Sequence, residues 1–516
     1  AEPKIQIEPQ PILFEDVTLT SGINHSHIQH SGTINDIRDG LNAGACIADF
    51  DGDGWVDLLF AAGGGQTRYY GRQSWWNNHY PAIMYHNQSG FFKRLPNATI
   101  DVSSSITACA AYDLDNDGLT DVVLASTEGI VLFRNAGNLK FERQENFSQL
   151  VKPAWVSHIT VSDINQDGLP DIHLSRFIRY QKNIKSLELA TGFSEQHQHQ
   201  FDPQSFDGMD NVLLLNQGKL NFIDKTQEYG LAGRQERTVS ATALDIDGDG
   251  KVELLELNSS DQSVRSYSIN DHKLHLIERN SWPLTINNTH YVDSGQQLGD
   301  ANPLLFFSRG AGLANIALIA NADIKTGQDI IWPTQLMQHN NIFLNYWGSA
   351  FADFNNDSRV DLVMATGGLM ADSFSQQMTQ ASPNVCATQI PTNTASPVFT
   401  THSCNSAIAS SRSVVRLDYN NDGKMDLLFV NNNDFPQLMV NRSSDAGNWI
   451  SLDIPSDSKW YGAQLSIGGN GIMHIMPPAN RTALFGNHDP RQHFGLASRQ
   501  NTTVALSKTK NALQQE

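Results

Sequence analysis

The sequence predicts an all-β chain, a seven-bladed β-propeller with calcium-binding DxDxDG loops, followed by a small C-terminal β module. Three observations predict it. A nine-residue acidic motif recurs six times, each copy between short apolar runs. The copies recur at intervals of the length a four-stranded blade needs. Several copies are followed by a further hairpin, which brings the unit to four strands.

The motif reads DFDGDGWVD at 49–57, DLDNDGLTD at 113–121 and DINQDGLPD at 163–171. It returns as DIDGDGKVE at 245–253, DFNNDSRVD at 353–361 and DYNNDGKMD at 418–426. Runs such as AGACIADF and ITACAAYD precede it, and DLLFAA, DVVLAS and DLVMAT follow it. Short runs rich in Val, Ile, Leu and Phe read as strands. The unit is therefore strand, acidic turn, strand, which excludes an EF-hand with its flanking helices.

The first aspartates are 64, 50, 82, 108 and 65 residues apart. The longest interval is about two ordinary ones. At its middle, QLGDANPLLFFS at 297–308 keeps the flanking strands and lacks the carboxylates, so it reads as a degenerate seventh unit. Hairpins such as VLFRNAGNLKFER (131–143) and NVLLLNQGKLNFID (211–224) supply strands three and four.

The expected division is a propeller over 1–445 and a β module over 446–516. FEDVTLTSG at 14–22 matches FIDKTQEYG at 222–230 in Phe, Asp, Thr and Gly. The second copy is an outer strand, so the first is expected to close the last blade beside 437–441. That pairing removes an exposed sheet edge.

Side chains at positions 1, 3, 5 and 9 of a tight turn converge, and the carbonyl at position 7 joins them. The candidate ligands are Asp49, Asp51, Asp53, Trp55 and Asp57; Asp113, Asp115, Asp117, Leu119 and Asp121; and Asp163, Asn165, Asp167, Leu169 and Asp171. The later copies give Asp245, Asp247, Asp249, Lys251 and Glu253; Asp353, Asn355, Asp357, Arg359 and Asp361; and Asp418, Asn420, Asp422, Lys424 and Asp426. An oxygen-only set of mixed geometry suits Ca²⁺ better than Mg²⁺. About six ions are expected, and without them 21 of the 54 acidic side chains would crowd into six turns. Solvated Asx turns are the alternative, but six copies in one strand-flanked register favour a metal. Each loop closes on itself, so the ions read as staples rather than catalytic centres, which keep an open position.

Composition bounds the rest. The 516 residues carry a formal charge of −19, which disfavours a nucleic-acid partner. Apolar runs are interrupted within about ten residues, short of the ~20 that a spanning helix needs. Cys386 and Cys404 lie 18 residues apart; a disulfide and two unlinked thiols both remain open. Cys46 and Cys109 complete the set, with no CxxC pair. The AEPK opening reads like a mature chain after leader cleavage, so a secreted, periplasmic or cell-surface location is expected. Asn-x-Ser/Thr sequons occur at Asn97 and Asn441.

The longest insertions, 64–80, 177–210 and 368–411, fall on the face opposite the acidic turns. Loops on a rigid scaffold carry function, so that face is the candidate ligand surface, with Arg68, Tyr69, Tyr70, Arg72, Trp75, Trp76, His79 and Tyr80 as candidate contacts to a glycan or protein. Packing of the insertion onto the disc is the competing role of these aromatics. His25, His27 and His30, and His197 and His199, read as ordinary polar residues. No GxSxG, HExxH, P-loop or complete GxGxxG is present. A propeller hydrolase or lyase acting on polysaccharide is the alternative function, with Arg72, His79, Asp202 and Asp207 as the groups that would have to converge.

The DxDxDG turn between strands resembles the FG-GAP/VCBS class, which includes integrin α-subunit heads. FEDVTLTSGINHSHIQHSG at 14–32, NVLLLNQGKLNF at 211–222, NWISLDI at 448–454, YGAQLSIGG at 461–469 and QHFGLAS at 492–498 are similar to the ASPIC/UnbV (cartilage acidic protein-like) family. The resemblance spans nearly the whole chain and implies a secreted or surface calcium-binding propeller with a small β module. The family's Trp-Pro-x-Gly tail is replaced here by VALSKTKNALQQE.

Overall fold

Each apolar run beside an acidic turn forms a strand, and in the computed structural model the two strands flanking a turn pair antiparallel. The structure describes residues 11–507 apart from 26–43, 62–66, 70–71, 75–79, 96–99, 103–105, 180–205, 245–251, 260–263, 271–272, 277–288, 296–303, 310–313, 319–337, 340–341, 344, 368–381, 392–396, 405, 433, 445–446, 455–463, 468–470, 475–480 and 500–501. The described residues hold one complete 3-10 turn, Phe147–Gln149, with Arg481 also in 3-10 conformation, and the rest of the regular structure is strand.

The first blade pairs Gly44–Ala48, Asp57–Ala61, Ile83–Asn87 and Phe92–Arg94 in order. The second runs from Ile106–Tyr112 through Asp121–Ser126 and Gly129–Asn135 to Phe141–Arg143. The third runs from Val156–Ser162 through Asp171–Arg176 and Val212–Asn216 to Phe222–Asp224, and the fourth from Thr238–Leu244 through Glu253–Asn258 and Val264–Asn270 to Lys273–Leu276. Beyond a three-stranded sheet come the fifth, Asn345–Ala352 to Val398–Ser403, and the sixth, whose Ser411–Leu417, Asp426–Asn431 and Gln437–Asn441 take Phe14–Asp16 as outer strand.

The blade count departs from the expected seven. Six four-stranded blades are present among the described residues, and the degenerate unit gives only Thr289–Gly295, Leu304–Arg309 and Ala314–Leu318. The next strands, Gln338–His339 and Ile342–Phe343, pair with each other instead of completing that sheet. The innermost strands of the six blades and of this three-stranded sheet pack on one another in sequence, and Ser411–Leu417 returns to Gly44–Ala48, so the ring closes.

Burial explains the strand composition. Second strands such as Asp121–Ser126 and Glu253–Asn258 are buried at every position, because adjacent blades cover both faces. Outer strands such as Phe141–Arg143 bury only their first residue and present the rest to solvent. Two disulfides add covalent ties. Cys46–Cys109 links the inner strands of the first two blades, and Cys386–Cys404 ties the third strand of the fifth blade to the end of its fourth, resolving the alternative left open by spacing.

The chain's C-terminal part contributes two small sheets, Asn448–Leu452 with Gln492–Ala497, and Gly471–His474, Gln464–Ile467 and Val504–Ser507. Between them, Thr482–Ala483 and Gly486–Asn487 leave these sheets and join the inner edge of the first blade. Leu484 and Phe485 are buried there with Tyr291 and Trp347 from the inner strands and Trp155 just before one. Cys109 N donates to Phe485 O (3.1 Å), His158 Nε2 to Ala483 O (3.1 Å) and Tyr291 Oη to Thr482 O (2.5 Å). Residues 481–489 thus occupy the centre of the ring, where a propeller otherwise has its axial channel.

Candidate cation-binding loops

The five described acidic turns share one backbone. Position 4 lies in the left-handed region in Gly52, Asn116, Gln166, Asn356 and Asn421, and position 6 does so in Gly54, Gly118, Gly168, Ser358 and Gly423. Ser358, at φ 72°, adopts the conformation that glycine takes elsewhere. A serine there carries a steric cost that glycine avoids, so the turn is imposed by its hydrogen bonds.

Those bonds repeat. The position-1 carboxylate accepts from the amides of positions 5 and 6: Asp113 from Asp117 (3.1 Å) and Gly118 (2.9 Å), and Asp418 from Asp422 (3.1 Å) and Gly423 (3.0 Å). The position-9 carboxylate accepts from position 2 and from the amide ending the third strand. Asp121 takes Leu114 (3.1 Å) and Asn135 (2.8 Å), and Asp426 takes Tyr419 (3.3 Å) and Asn441 (2.7 Å). Asp57, Asp171 and Asp361 are bonded in the same way.

In two of the turns the carboxylate oxygens also converge. Carboxylate oxygens of Asp49, Asp51 and Asp57 lie within 4.8 Å of one another, as do those of Asp113, Asp115 and Asp121. Asp51 Oδ1 is buried without a hydrogen-bond partner. Such a donor set fits a hard divalent cation. Burial raises these carboxyl pKa values above the usual carboxylate range: Asp57 to about 7, Asp121, Asp171 and Asp353 to about 8, and Asp163 and Asp418 to about 6. Asp361 and Asp426 are held well above it, again chiefly by burial. Charge that is costly to bury alone is what a bound cation compensates.

Some loop carboxylates have a basic side chain as partner. His86 Nε2 lies 3.1 Å from Asp51 and 3.4 Å from Asp53. Arg134 pairs with Asp115 (2.9 Å) and Asp117 (2.5 Å), and Arg359 pairs with Asp357. In the fourth copy, Asp245, Asp247, Asp249 and Lys251 lie outside the described residues, while Glu253 is buried.

A second recurrent residue links the loops around the ring. Asn87, Asn135, Asn216 and Asn441 each end a third strand. Each Nδ2 donates to the position-8 carbonyl of its own loop and to the position-2 carbonyl of the preceding blade's loop: Asn135 reaches Thr120 O (3.1 Å) and Phe50 O (2.8 Å), Asn216 Pro170 O (3.1 Å) and Leu114 O (2.8 Å). Asn87 reaches Val56 and Tyr419, and Asn441 reaches Met425 and Phe354. Sequence reasoning missed these asparagines. The available signal was an Asn after each third-strand run, as in FRNAG, LLNQG and YHNQSG. The sequon at Asn441 is buried in this role, which leaves no room for a glycan.

The candidate ligand face is described only in its backbone. Arg68 and Tyr69 fall in Thr67–Tyr69, which pairs with Arg72–Ser74, and Tyr80 lies in Tyr80–Pro81, paired with Asp101–Val102. Tyr70, Trp75, Trp76, His79, Asp202, His27, His30, His197 and His199 lie outside the described residues. Asp207 is exposed, and its carbonyl accepts from Arg179 N (2.8 Å). His25 is a core residue, packed on Phe60 with Nδ1 3.1 Å from Tyr85 Oη.

The FG-GAP-like repeat model matches residues 49–124 and 113–174, the first three acidic turns. No curated protein has a matching sequence. Among solved structures, the chain is similar to an Agrocybe aegerita lectin that recognises non-reducing terminal N-acetylglucosamine, at 12% identity and TM-score 0.42 over 76% of this chain and 86% of that one. It is similar to a Bacillus licheniformis rhamnogalacturonan lyase at 12% identity and TM-score 0.38, over 93% and 83% of the two chains. It is also similar to BBS1N from its complex with ARL6DN, at 9% identity and TM-score 0.41, over 84% and 95%. Likenesses this distant carry no argument about activity.

Proposed function

We propose that this chain is an exported, calcium-stabilised β-propeller of the ASPIC/UnbV type, which binds a protein or glycan partner through loops on the face opposite its acidic turns. The observation that carries the calcium reading is the geometry of the turns at 49–57 and 113–121, in which amides hold the carboxylates and three carboxylate oxygens lie within 4.8 Å of one another. Calcium supplies the positive charge that buried carboxylates require and ties each turn to the two strands it joins. The amides of positions 5 and 6 orient the first carboxylate, and the third-strand asparagine amide orients the last. The pairing of all four cysteines in disulfides supports an oxidising compartment. No described helix is long and apolar enough to cross a membrane.

Excess EGTA is expected to lower the melting temperature by many degrees, because an ion bound only to the native state adds to its stability. Asp51→Ala with Asp53→Ala should release about one ion per chain. A melting curve indifferent to EGTA, or a variant with unaltered calcium stoichiometry, would count against the reading.

A further inference from the structure

Two acidic loops, 353–361 and 418–426, form the seat of the C-terminal strands. Trp449 lies flat on Gly423, so close that a Cβ there would stand 1.7 Å from Trp449 Cε2. His493 Nε2 donates to Gly423 O (3.0 Å), and Arg491 donates to Asp418 O (2.7 Å) and to Asn421 Oδ1 (2.6 Å). On the neighbouring loop, Ala497 N donates to Asn356 O (3.0 Å), and Gly495 presses on Asp353 so that a Cβ would stand 1.9 Å from Oδ2. Asn356 Nδ2 reaches Gly423 O (3.4 Å) and joins the two loops.

The acceptors used are loop carbonyls at positions 1, 4 and 6. Their directions follow from the turn, and the turn is what a cation between the carboxylates would fix. The seat also continues into the ring centre. Asp418 N donates to Asp489 Oδ2 (3.2 Å), Asp489 N to Arg416 O (3.0 Å), and Arg416 N to His488 Nδ1 (3.2 Å). One run of chain, 481–497, therefore spans from the axial segment to the two loops.

We propose that cation occupancy of loops 353–361 and 418–426 governs the seating of the C-terminal strands and, through them, of the axial segment 481–489. The inference rests on the calcium reading of the turns and adds a consequence to it. Linkage makes the effect reciprocal: if the ions favour seating, seating favours the ions by the same factor, about 5–150-fold in typical coupled systems.

The test measures calcium stoichiometry and hydrogen exchange on the full chain. Asp357→Asn with Asp422→Asn should remove about two ions and speed exchange in 448–452 and 481–497 about tenfold. Asp115→Asn with Asp117→Asn, in a loop that carries none of the contacts above, should lose about one ion and leave that exchange unchanged. In the reverse direction, Trp449→Ala with His493→Ala should weaken about two of the ions about tenfold and spare the rest. Loss of the two ions with unchanged exchange overturns the coupling while leaving the calcium reading intact. A wild-type chain that binds no calcium overturns both, and the stoichiometry alone reveals which has failed.

Discussion

At the scale of the residue, the loops depend on a few side chains whose partners lie far away in sequence. Asn135 Nδ2 bonds Phe50 O across 85 residues and also holds Thr120 O. Asn135→Ala would leave buried carbonyls without that donor, a loss of about 1–3 kcal/mol. Chemical denaturation of N135A measures it, and an unchanged midpoint would show that the bridge between blades is dispensable. In the sequence Asn135 looks like any asparagine before a turn, since local rules place Asn there for its own backbone bonds. The aspartates of the same loops were legible because their spacing is local. His86 and Arg134 were not, because each reaches its carboxylates only in the folded structure.

At the scale of the element, the turns and their flanking strands were readable, since left-handed positions 4 and 6 and the apolar runs are written within a dozen residues. Strand partners across blades were not. Cys46 and Cys109 sit in separate inner strands, 63 residues apart, while Cys386 and Cys404, 18 apart, lie in the third strand of one blade and just beyond its fourth. In the chain-entropy model the longer loop contributes about 4 kcal/mol and the shorter about 3. Cys46→Ala with Cys109→Ala is therefore expected to lower the denaturation midpoint more than the corresponding change at Cys386 and Cys404. The opposite ranking would place the stabilisation elsewhere than in the denatured chain.

At the scale of the whole molecule, closure comes from both termini. Phe14–Asp16 completes the last blade, and 481–489 fills the centre. The centre is held partly by neutral histidines. Burial lowers His158 to about 4 and holds His488 well below the usual 6.5, with the nearby Arg416 adding to the effect at His488. His158 faces Ala483 O, Thr160, His173 and the Tyr291 ring. A histidine whose folded pKa is depressed binds more protons when unfolded, so its contribution is present above pH 6.5 and is lost as pH falls towards 4. In saturating calcium, the wild type should lose melting temperature relative to His158→Gln over that interval, and a constant difference would remove His158 from the acid response.

The sequence by itself determined the strand–acidic turn–strand unit and its repetition, because each depends on residues close together in the chain. Tertiary structure alone decided that one unit shows three paired strands among its described residues, that asparagines bridge successive blades and that a C-terminal segment fills the axis. Those outcomes depend on which surfaces meet after the ring closes, and a burial cost or hydrogen bond between residues hundreds of positions apart leaves no periodicity to read.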